Sequence, residues 1–182
     1  MMKKRLLCAL LLLALALSLL PTVALADDAY TAGTAEELQS LLGQRKTPIK
    51  LTDNINLKGQ PLTISGGNIT IDMDGHTIFG GNLIVDVRET RPLNLTGEGV
   101  IDCPATLNGK IQGDATFRQD VVLNPNDACV IEGCSFYGKI TTRSSTDAVV
   151  VNGGTFYNTV NTAGCNSVTV YGGVFHEDAK FF

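Results

Sequence analysis

Hydrophobic and polar residues alternate in short runs along most of the chain after residue 48. Residues 49–51, 62–64 and 69–71 each carry an apolar side chain at every second position, and Gly, Asn, Asp or Pro residues bound the runs. Successive side chains of a strand point to opposite faces, so such runs predict short, half-buried β-strands. The chain is therefore expected to be almost entirely β-structure.

A short phrase recurs near the end of the chain at a nearly constant spacing. It ends on Phe136, Phe156 and Phe175, and a fainter copy ends on Phe117. A nearly fixed period of this size is typical of stacked units that are too small to bury their own apolar faces. We therefore predict an all-β, right-handed parallel β-helix with about 19–20 residues per turn and one interior ladder of phenylalanines. A β-sandwich is the alternative, and the aligned phenylalanines disfavour it.

One segment has helical instead of alternating periodicity. Thr34 and Glu37 form a capping-box pattern, and the leucines that follow fall on one face before Gly43. This predicts a short amphipathic helix over residues 35–42. Because the open end of a coil exposes unpaired strand edges, we expect this helix to cap the first turn.

The last turn has no such cap. The chain stops at Phe181 and Phe182, and we expect these two rings, a partner or a second copy of the chain to cover that end. End-to-end self-association is one prediction from this pattern. A chain cut from a longer array of turns is the remaining interpretation.

The N-terminal segment has the three parts of a secretory signal. Lys3, Lys4 and Arg5 precede an apolar run over residues 6–20, and small residues end at Ala26. Because a membrane span needs about 20 apolar residues, we expect residues 1–26 to be removed and residues 27–182 to form one extracellular domain. An uncleaved anchor is the alternative, and no second apolar stretch predicts a membrane span.

The charge balance disfavours one class of partner. The chain has 14 Lys and Arg residues against 18 Asp and Glu residues, a net charge of −4. Loss of the leader would remove three cations and no acids. No basic cluster is then visible along the sequence, so nucleic acid is not expected as a partner.

Four cysteines remain after the leader, an even number that suggests disulfides in a secreted chain. They are Cys103, Cys129, Cys134 and Cys165. In the repeat alignment none of them stacks on another, because Cys129 aligns with Val149 and Cys134 aligns with Gly154. Buried free thiols and a single irregular bridge are both left open.

Three features in the first half of the chain carry a family resemblance. They are the helix over 35–42, the run over 49–57 and the phrase Ile71-Asp-Met-Asp-Gly-His-Thr-Ile78. Together they resemble the opening of pectate-lyase-like right-handed β-helix modules from secreted and surface proteins of Gram-positive bacteria. The resemblance implies a module often regarded as adhesive. It does not imply an activity, because this fold carries lyases, hydrolases and non-catalytic modules.

Asp72, Asp74 and His76 form the densest polar cluster in the sequence, and alternation places all three on one face. Paired carboxylates could bind calcium or act as acid and base, so these are the residues expected to act if the protein is an enzyme. The alternative is a purely structural role, in which the cluster forms a solvent-facing turn with Gly75 at its corner. The lyase and hydrolase motifs of the resembling fold are incomplete here, so the interpretation leans against catalysis, and no metal or other cofactor is required.

Tyr137 and Tyr157 align in successive turns, each directly after an inward phenylalanine. Two outward rings one turn apart, about 4.8 Å, predict a small flat platform for sugar stacking. We therefore expect a non-catalytic module that binds a polysaccharide or another cell-surface macromolecule through these tyrosines. A polysaccharide-active lyase or hydrolase, which could use the 85–104 stretch, is the first alternative. A structural spacer without a ligand is the second.

Overall fold

The structure of the protein is a computed structural model that describes residues 29–124, 128–143 and 146–180, with the side chains of 146 and 147 excepted. The leader predicted for residues 1–26 lies outside these residues, as do Phe181 and Phe182. The described part is a parallel β-helix of about seven turns with one short helix near its start. The predicted fold class is therefore confirmed.

The helix, α1, spans Ala35–Gly43, and the other elements of the described ranges are strands. In chain order they are β1 (Tyr30–Ala32), β2 (Ile49–Leu51), β3 (Ile55–Asn56), β4 (Pro61–Ser65), β5 (Ile69–Asp72), β6 (Thr77–Phe79), β7 (Asn82–Asp86), β8 (Leu93–Thr96), β9 (Val100–Asp102), β10 (Ala105–Asn108), β11 (Lys110–Phe117), β12 (Val121–Leu123), β13 (Ala128–Phe136), β14 (Ile140–Thr142), β15 (Thr146–Val151), β16 (Thr155–Phe156), β17 (Val160–Asn161), β18 (Cys165–Val170) and β19 (Val174–Phe175).

The strands stack into three faces that run the length of the coil. The long face has the order β1-β2-β5-β8-β11-β13-β15-β18, and the third face has the order β4-β7-β10-β12-β14-β17. Between them lies the short face, built from β3, β6, β9, the ends of β11 and β13, then β16 and β19. Every strand pairs in parallel with its counterpart one turn away, so each turn, or rung, is placed by the rung before it.

Rung length is uniform only in the second half of the coil. Ile131 pairs with Val151, which pairs in turn with Val170, so these rungs match the period predicted from the phenylalanines. Near the start, Ile49 pairs with Ile71 and Ile71 pairs with Leu95, so each of these rungs is a few residues longer. The longer early rungs carry extra residues in their turns, which explains why the repeat is visible only near the end of the sequence.

The predicted phenylalanine ladder runs through the interior behind the short face. Phe117, Phe136 and Phe156 are fully buried, and neighbouring rings, Phe175 included, stack nearly parallel with centroids 4.9–5.4 Å apart. Burial of each ring contributes about 1.5–3 kcal/mol. Phe175 remains 37% exposed because it lies in the last described rung.

Helix α1 caps the first rung as predicted. The Thr34 side chain accepts a hydrogen bond from the Glu37 backbone N–H, and the Glu37 carboxylate accepts one from the Thr34 backbone N–H. These bonds satisfy N–H groups that a helix start otherwise leaves open. Leu38 and Leu42 are buried and join the continuous core.

Glycines allow two rungs to approach closely where the long face bends into the short face. Gly113 and Gly133 are paired neighbours with φ of 123° and 105°. A Cβ atom on Gly113 would overlap the backbone of Leu95, and one on Gly133 would overlap the backbone of Gly113. No other residue type fits both the positive φ and the space.

The four described cysteines are free thiols, with Cys103, Cys129 and Cys134 buried and Cys165 half-buried. A flat strand would place Cys129 and Cys134 on opposite faces, because an odd number of steps separates them. Both are nevertheless buried, because positive φ at Gly133 and Cys134 breaks the alternation of β13. Burial is the main reason that the pKa of Cys103 rises to about 11 and those of Cys129 and Cys134 rise to about 12.

Across residues 29–124, 128–143 and 146–180, no helix is long and apolar enough to cross a lipid bilayer.

Candidate functional site

Tyr137, Tyr157 and His176 form one stack on the outside of the coil. The two tyrosine rings have centroids 4.1 Å apart and planes within 10° of parallel. The imidazole of His176 continues the stack, 4.1 Å from the Tyr157 ring and tilted by 15°. We call these three residues the aromatic stack.

The interior ladder fixes the position of the aromatic stack. Each of its residues follows an interior phenylalanine, and its backbone N–H donates to the carbonyl of the phenylalanine one rung earlier. For Tyr137 this acceptor is Phe117, at 2.9 Å. The outer rings therefore share the register of the inner rings and need little further ordering of the backbone.

The stack offers ring edges and hydroxyls to solvent more than ring faces. Neighbouring rings at 4.1 Å cover each other's faces, so Tyr157 has both faces occupied. Tyr137 is 49% exposed, and among the described residues no ring stacks on its other face, which is turned towards the earlier rungs. The predicted flat platform is therefore replaced by a column of rings whose faces are open only at its two ends.

The free face of Tyr137 borders a surface depression. Besides Tyr137 its lining consists of Val100, Thr116 and Arg118, all from earlier rungs. Arg118 is exposed and occupies the register position one rung before Tyr137. This depression combines an aromatic face, a hydroxyl and a guanidinium within one concave surface, a combination suited to a polar ligand with an apolar side.

A row of hydroxyl side chains runs beside the aromatic stack. Thr116, Ser135 and Thr155 are paired neighbours on successive rungs, each just before an interior phenylalanine and each half-buried. Side chains at alternate positions of a strand share a face. The row therefore adds regularly spaced donors and acceptors next to the rings.

Tyr157 and Tyr137 also interact through their hydroxyls. A side-chain hydrogen bond to Tyr137 raises the pKa of Tyr157 above its ordinary value, with a smaller contribution from partial desolvation. A raised pKa means that the bond favours the protonated hydroxyl of Tyr157. The two rings are thus held together at their outer edge as well as by stacking.

The acidic cluster is engaged in holding its own turn. Asp72 accepts a hydrogen bond from the backbone N–H of Asp74 at 3.1 Å, and Asp74 forms an exposed ion pair of 3.0 Å with Lys50 one rung earlier. Gly75, with φ of 77°, makes the corner, and the His76 carbonyl accepts from the backbone of Val100. The three residues lie close in sequence and space, in the arrangement of a structural turn.

No metal centre is evident in the described ranges. Among residues 29–124, 128–143 and 146–180, no three His, Cys, Asp or Glu side chains come together in a way that could hold an ion.

An apolar hollow of about 380 Å³ lies elsewhere, between α1 and the first rung, and includes Ala35, Leu57 and Leu62 in its lining. None of the residues predicted for a site lines it. Among its polar lining residues, Glu36 and Lys58 form an exposed ion pair with each other, and the hollow marks the seam where the cap meets the coil.

Sequence reasoning finds two of the three stacked rings and misses the third. His176 stands alone in the sequence, although it follows Phe175 as Tyr157 follows Phe156. Extending the alignment of outward positions by one rung, from Tyr157 to the next turn, would have found His176. Arg118 lies in the same column and could have been found by the same step.

Comparisons with family models, curated proteins and solved structures found no match to this chain.

Proposed function

We propose that the protein is a secreted, non-catalytic β-helix module of the pectate-lyase-like, adhesive kind that binds a polysaccharide or another cell-surface macromolecule. The observation that supports this best is the aromatic stack. Three rings lie on a sheet surface, with one free face beside Arg118, and offer contacts that are both apolar and polar. Because the fold already orders these side chains, binding costs little further conformational entropy.

The geometry suggests how a glycan chain would lie. One sugar ring places its apolar C–H face on the free face of Tyr137, and Arg118 and Thr116 bond to its hydroxyls. Further sugars run across the ring edges, where tyrosine hydroxyls and the row of Thr and Ser side chains exchange hydrogen bonds with them. In this arrangement the polymer follows the axis of the coil.

Catalysis has weaker support. The carboxylates of Asp72 and Asp74 are occupied by a turn N–H and by Lys50, and neither lines the depression at Tyr137. Both are partly exposed, and no geometry of a poised acid and base surrounds them. A spacer without ligand would leave the exposed stack without a role.

The test is co-sedimentation of the protein with insoluble polysaccharides, mucin and bacterial cell walls, with released soluble sugar measured in the same tubes. We expect pelleting with one polymer and no sugar release. Tyr137→Ala should weaken binding about tenfold, the effect typical of a central aromatic contact, and Arg118→Ala should weaken it less.

Tyr171→Ala is the matched control, because Tyr171 is 77% exposed and stacks on no other ring of the described residues. Equal loss in Tyr171→Ala and Tyr137→Ala would remove the aromatic stack from the proposal. Sugar release that disappears in Asp74→Asn would replace the binding module by an enzyme. Neither pelleting nor release with any polymer would favour the spacer.

A further inference from the structure

A second concave surface lies near the start of the coil and gathers arginine side chains. Arg45 follows α1, and Arg88 and Arg91 lie in the turn between β7 and β8. All three line a polar cavity of about 420 Å³, together with Thr47 and residues 65–69. We call this surface the arginine pocket.

Backbone contacts hold the parts of the arginine pocket in place. The Arg91 N–H donates to the Arg88 carbonyl at 3.0 Å, and the Gly66 N–H donates to the Asp86 carbonyl. A Cβ atom on Gly67 would overlap Arg91, so the glycine turn packs directly on the arginine turn. Arg45 is anchored by a bond from its N–H to the Leu42 carbonyl. The pocket is therefore built from three fixed turns.

The charge of the arginine pocket is unbalanced. Within the described part of the chain, none of the three guanidinium groups forms an ion pair. The nearby Asp86 carboxylate accepts a hydrogen bond from Asn108 at 2.7 Å, and Glu89 is exposed in the arginine turn itself. Only five arginines follow residue 28, and three of them meet here in a chain of net charge −4. Three cations that line one cavity repel one another unless an anion joins them.

We propose that the arginine pocket binds a tetrahedral oxyanion, the phosphate or sulfate group of an anionic ligand. Each guanidinium offers a planar fork of N–H donors that matches two oxygens of such a group. Together the three forks offer enough donors for three or four oxygens at once, more than the two oxygens of a carboxylate can use. The hydroxyls of Ser65 and Thr47 lie in the same wall and supply further bonds.

This site is separate from the aromatic stack. The arginine pocket is built from the first three rungs and the segment after α1, whereas the stack lies on β13 and later elements. The proposal therefore does not depend on glycan binding at Tyr137.

Calorimetric titration of the purified protein with inorganic phosphate, sulfate and acetate at low ionic strength tests the proposal. We expect phosphate and sulfate to bind and acetate to bind at least tenfold more weakly. Phosphorylated dextran, dextran sulfate and plain dextran then separate a free ion from a group carried on a polymer. Tighter binding of a charged dextran than of its free ion identifies a polymer-borne group, and equal binding identifies the free ion as the ligand.

Variants locate the site. Arg88→Gln and Arg91→Gln should each weaken oxyanion binding about tenfold, as expected for the loss of hydrogen bonds to a charged group. Arg88→Lys should recover part of the loss, because it keeps the charge but not the fork. Arg143→Gln is the control, since it removes an equal charge three rungs farther along the coil, and unchanged thermal unfolding confirms that each variant is folded.

Three results would overturn the proposal. The first is acetate binding as tightly as phosphate and sulfate, and the second is no binding of any of them at low ionic strength. The third is a loss in Arg143→Gln as large as that in Arg88→Gln, which would show a diffuse effect of net charge.

Discussion

The hydroxyl bond between Tyr157 and Tyr137 is the most specific residue-scale feature of the candidate site. Two phenols joined by a hydrogen bond do not ionise independently, because the bond favours the protonated form. Measuring the raised pKa of Tyr157 by absorbance therefore shows whether the stack exists in solution.

We expect Tyr157 to ionise above the ordinary pKa of a tyrosine. Absorbance at 295 nm followed from pH 8 to 12 measures this. Tyr137→Phe removes the hydrogen-bond partner but keeps the ring, so Tyr157 should then titrate nearer its ordinary pKa. Tyr30→Phe, at a distant exposed ring, should leave the high transition unchanged. A titration that Tyr137→Phe does not alter would contradict the geometry of the stack.

Outward positions were harder to predict from sequence than inward ones. Inward residues are apolar and stack on their neighbours one turn away, so Phe117, Phe136 and Phe156 could be placed from their spacing alone. Outward residues vary with each rung, and the column of Arg118, Tyr137, Tyr157 and His176 mixes three chemical types. The arginine pocket was not visible in sequence, because residues 45, 88 and 91 meet only after the chain has coiled.

At the scale of elements, α1 caps the first end of the coil. Its buried leucines, Leu38 and Leu42, join the apolar core at the start of the described coil. The capping box and the leucine spacing were sufficient to predict its place and role. The longer early rungs were not predictable, since turn residues between short strands follow no fixed spacing.

Leu38→Ala should lower the free energy of unfolding by about 2–5 kcal/mol, because Leu38 is fully buried and leaves a cavity. Leu41→Ala is the matched control, since Leu41 is only partly buried on the same helix, and its loss should be clearly smaller. Urea unfolding followed by circular dichroism measures both. Equal losses would mean that the helix does not seat on the coil through Leu38.

At the scale of the whole molecule, the two ends of the described coil differ. The first rung is covered by α1, whereas Val168, Val170 and Phe175 occupy inward positions of the last described rungs and remain 37–46% exposed. We propose that this surface pairs with a second copy of the chain, since both the apolar side chains and the strand edge favour it.

Sedimentation velocity over a range of concentrations should show association that Val168→Thr with Val170→Thr weakens roughly tenfold. Threonine keeps the shape and strand preference of valine, so the fold is retained. Ile84→Thr is the control at an exposed position within the coil. A monomer at every concentration, or an equal effect of Ile84→Thr, would dismiss the pairing.

Buried thiols make the stability of the whole coil sensitive to alkali. Each thiol has a pKa raised from 9.0 to about 11 or 12, so the folded state holds its proton more tightly than the unfolded chain. Their stabilisation is fully present below pH 9 and is lost as the pH rises towards 12.

Cys129→Val should leave stability at pH 7 nearly unchanged, because its paired neighbour Val149 is a buried valine. It should also flatten the decline in stability between pH 9 and 11. Urea midpoints at a series of pH values measure this, with Cys165→Val, at the half-buried thiol, as the comparison. An identical decline in wild type and Cys129→Val would show that other groups dominate it.

Because every rung takes its register from the rung beneath, the molecule can change length only in whole turns. A one-residue deletion inside a strand would turn its inward side chains outward, whereas removal of one complete rung, from a paired position to its partner, would leave the neighbours in register. Each inserted turn would move the aromatic stack about 4.8 Å farther from the arginine pocket without altering either. The distance between the aromatic stack and the arginine pocket can therefore change only in steps of one whole turn.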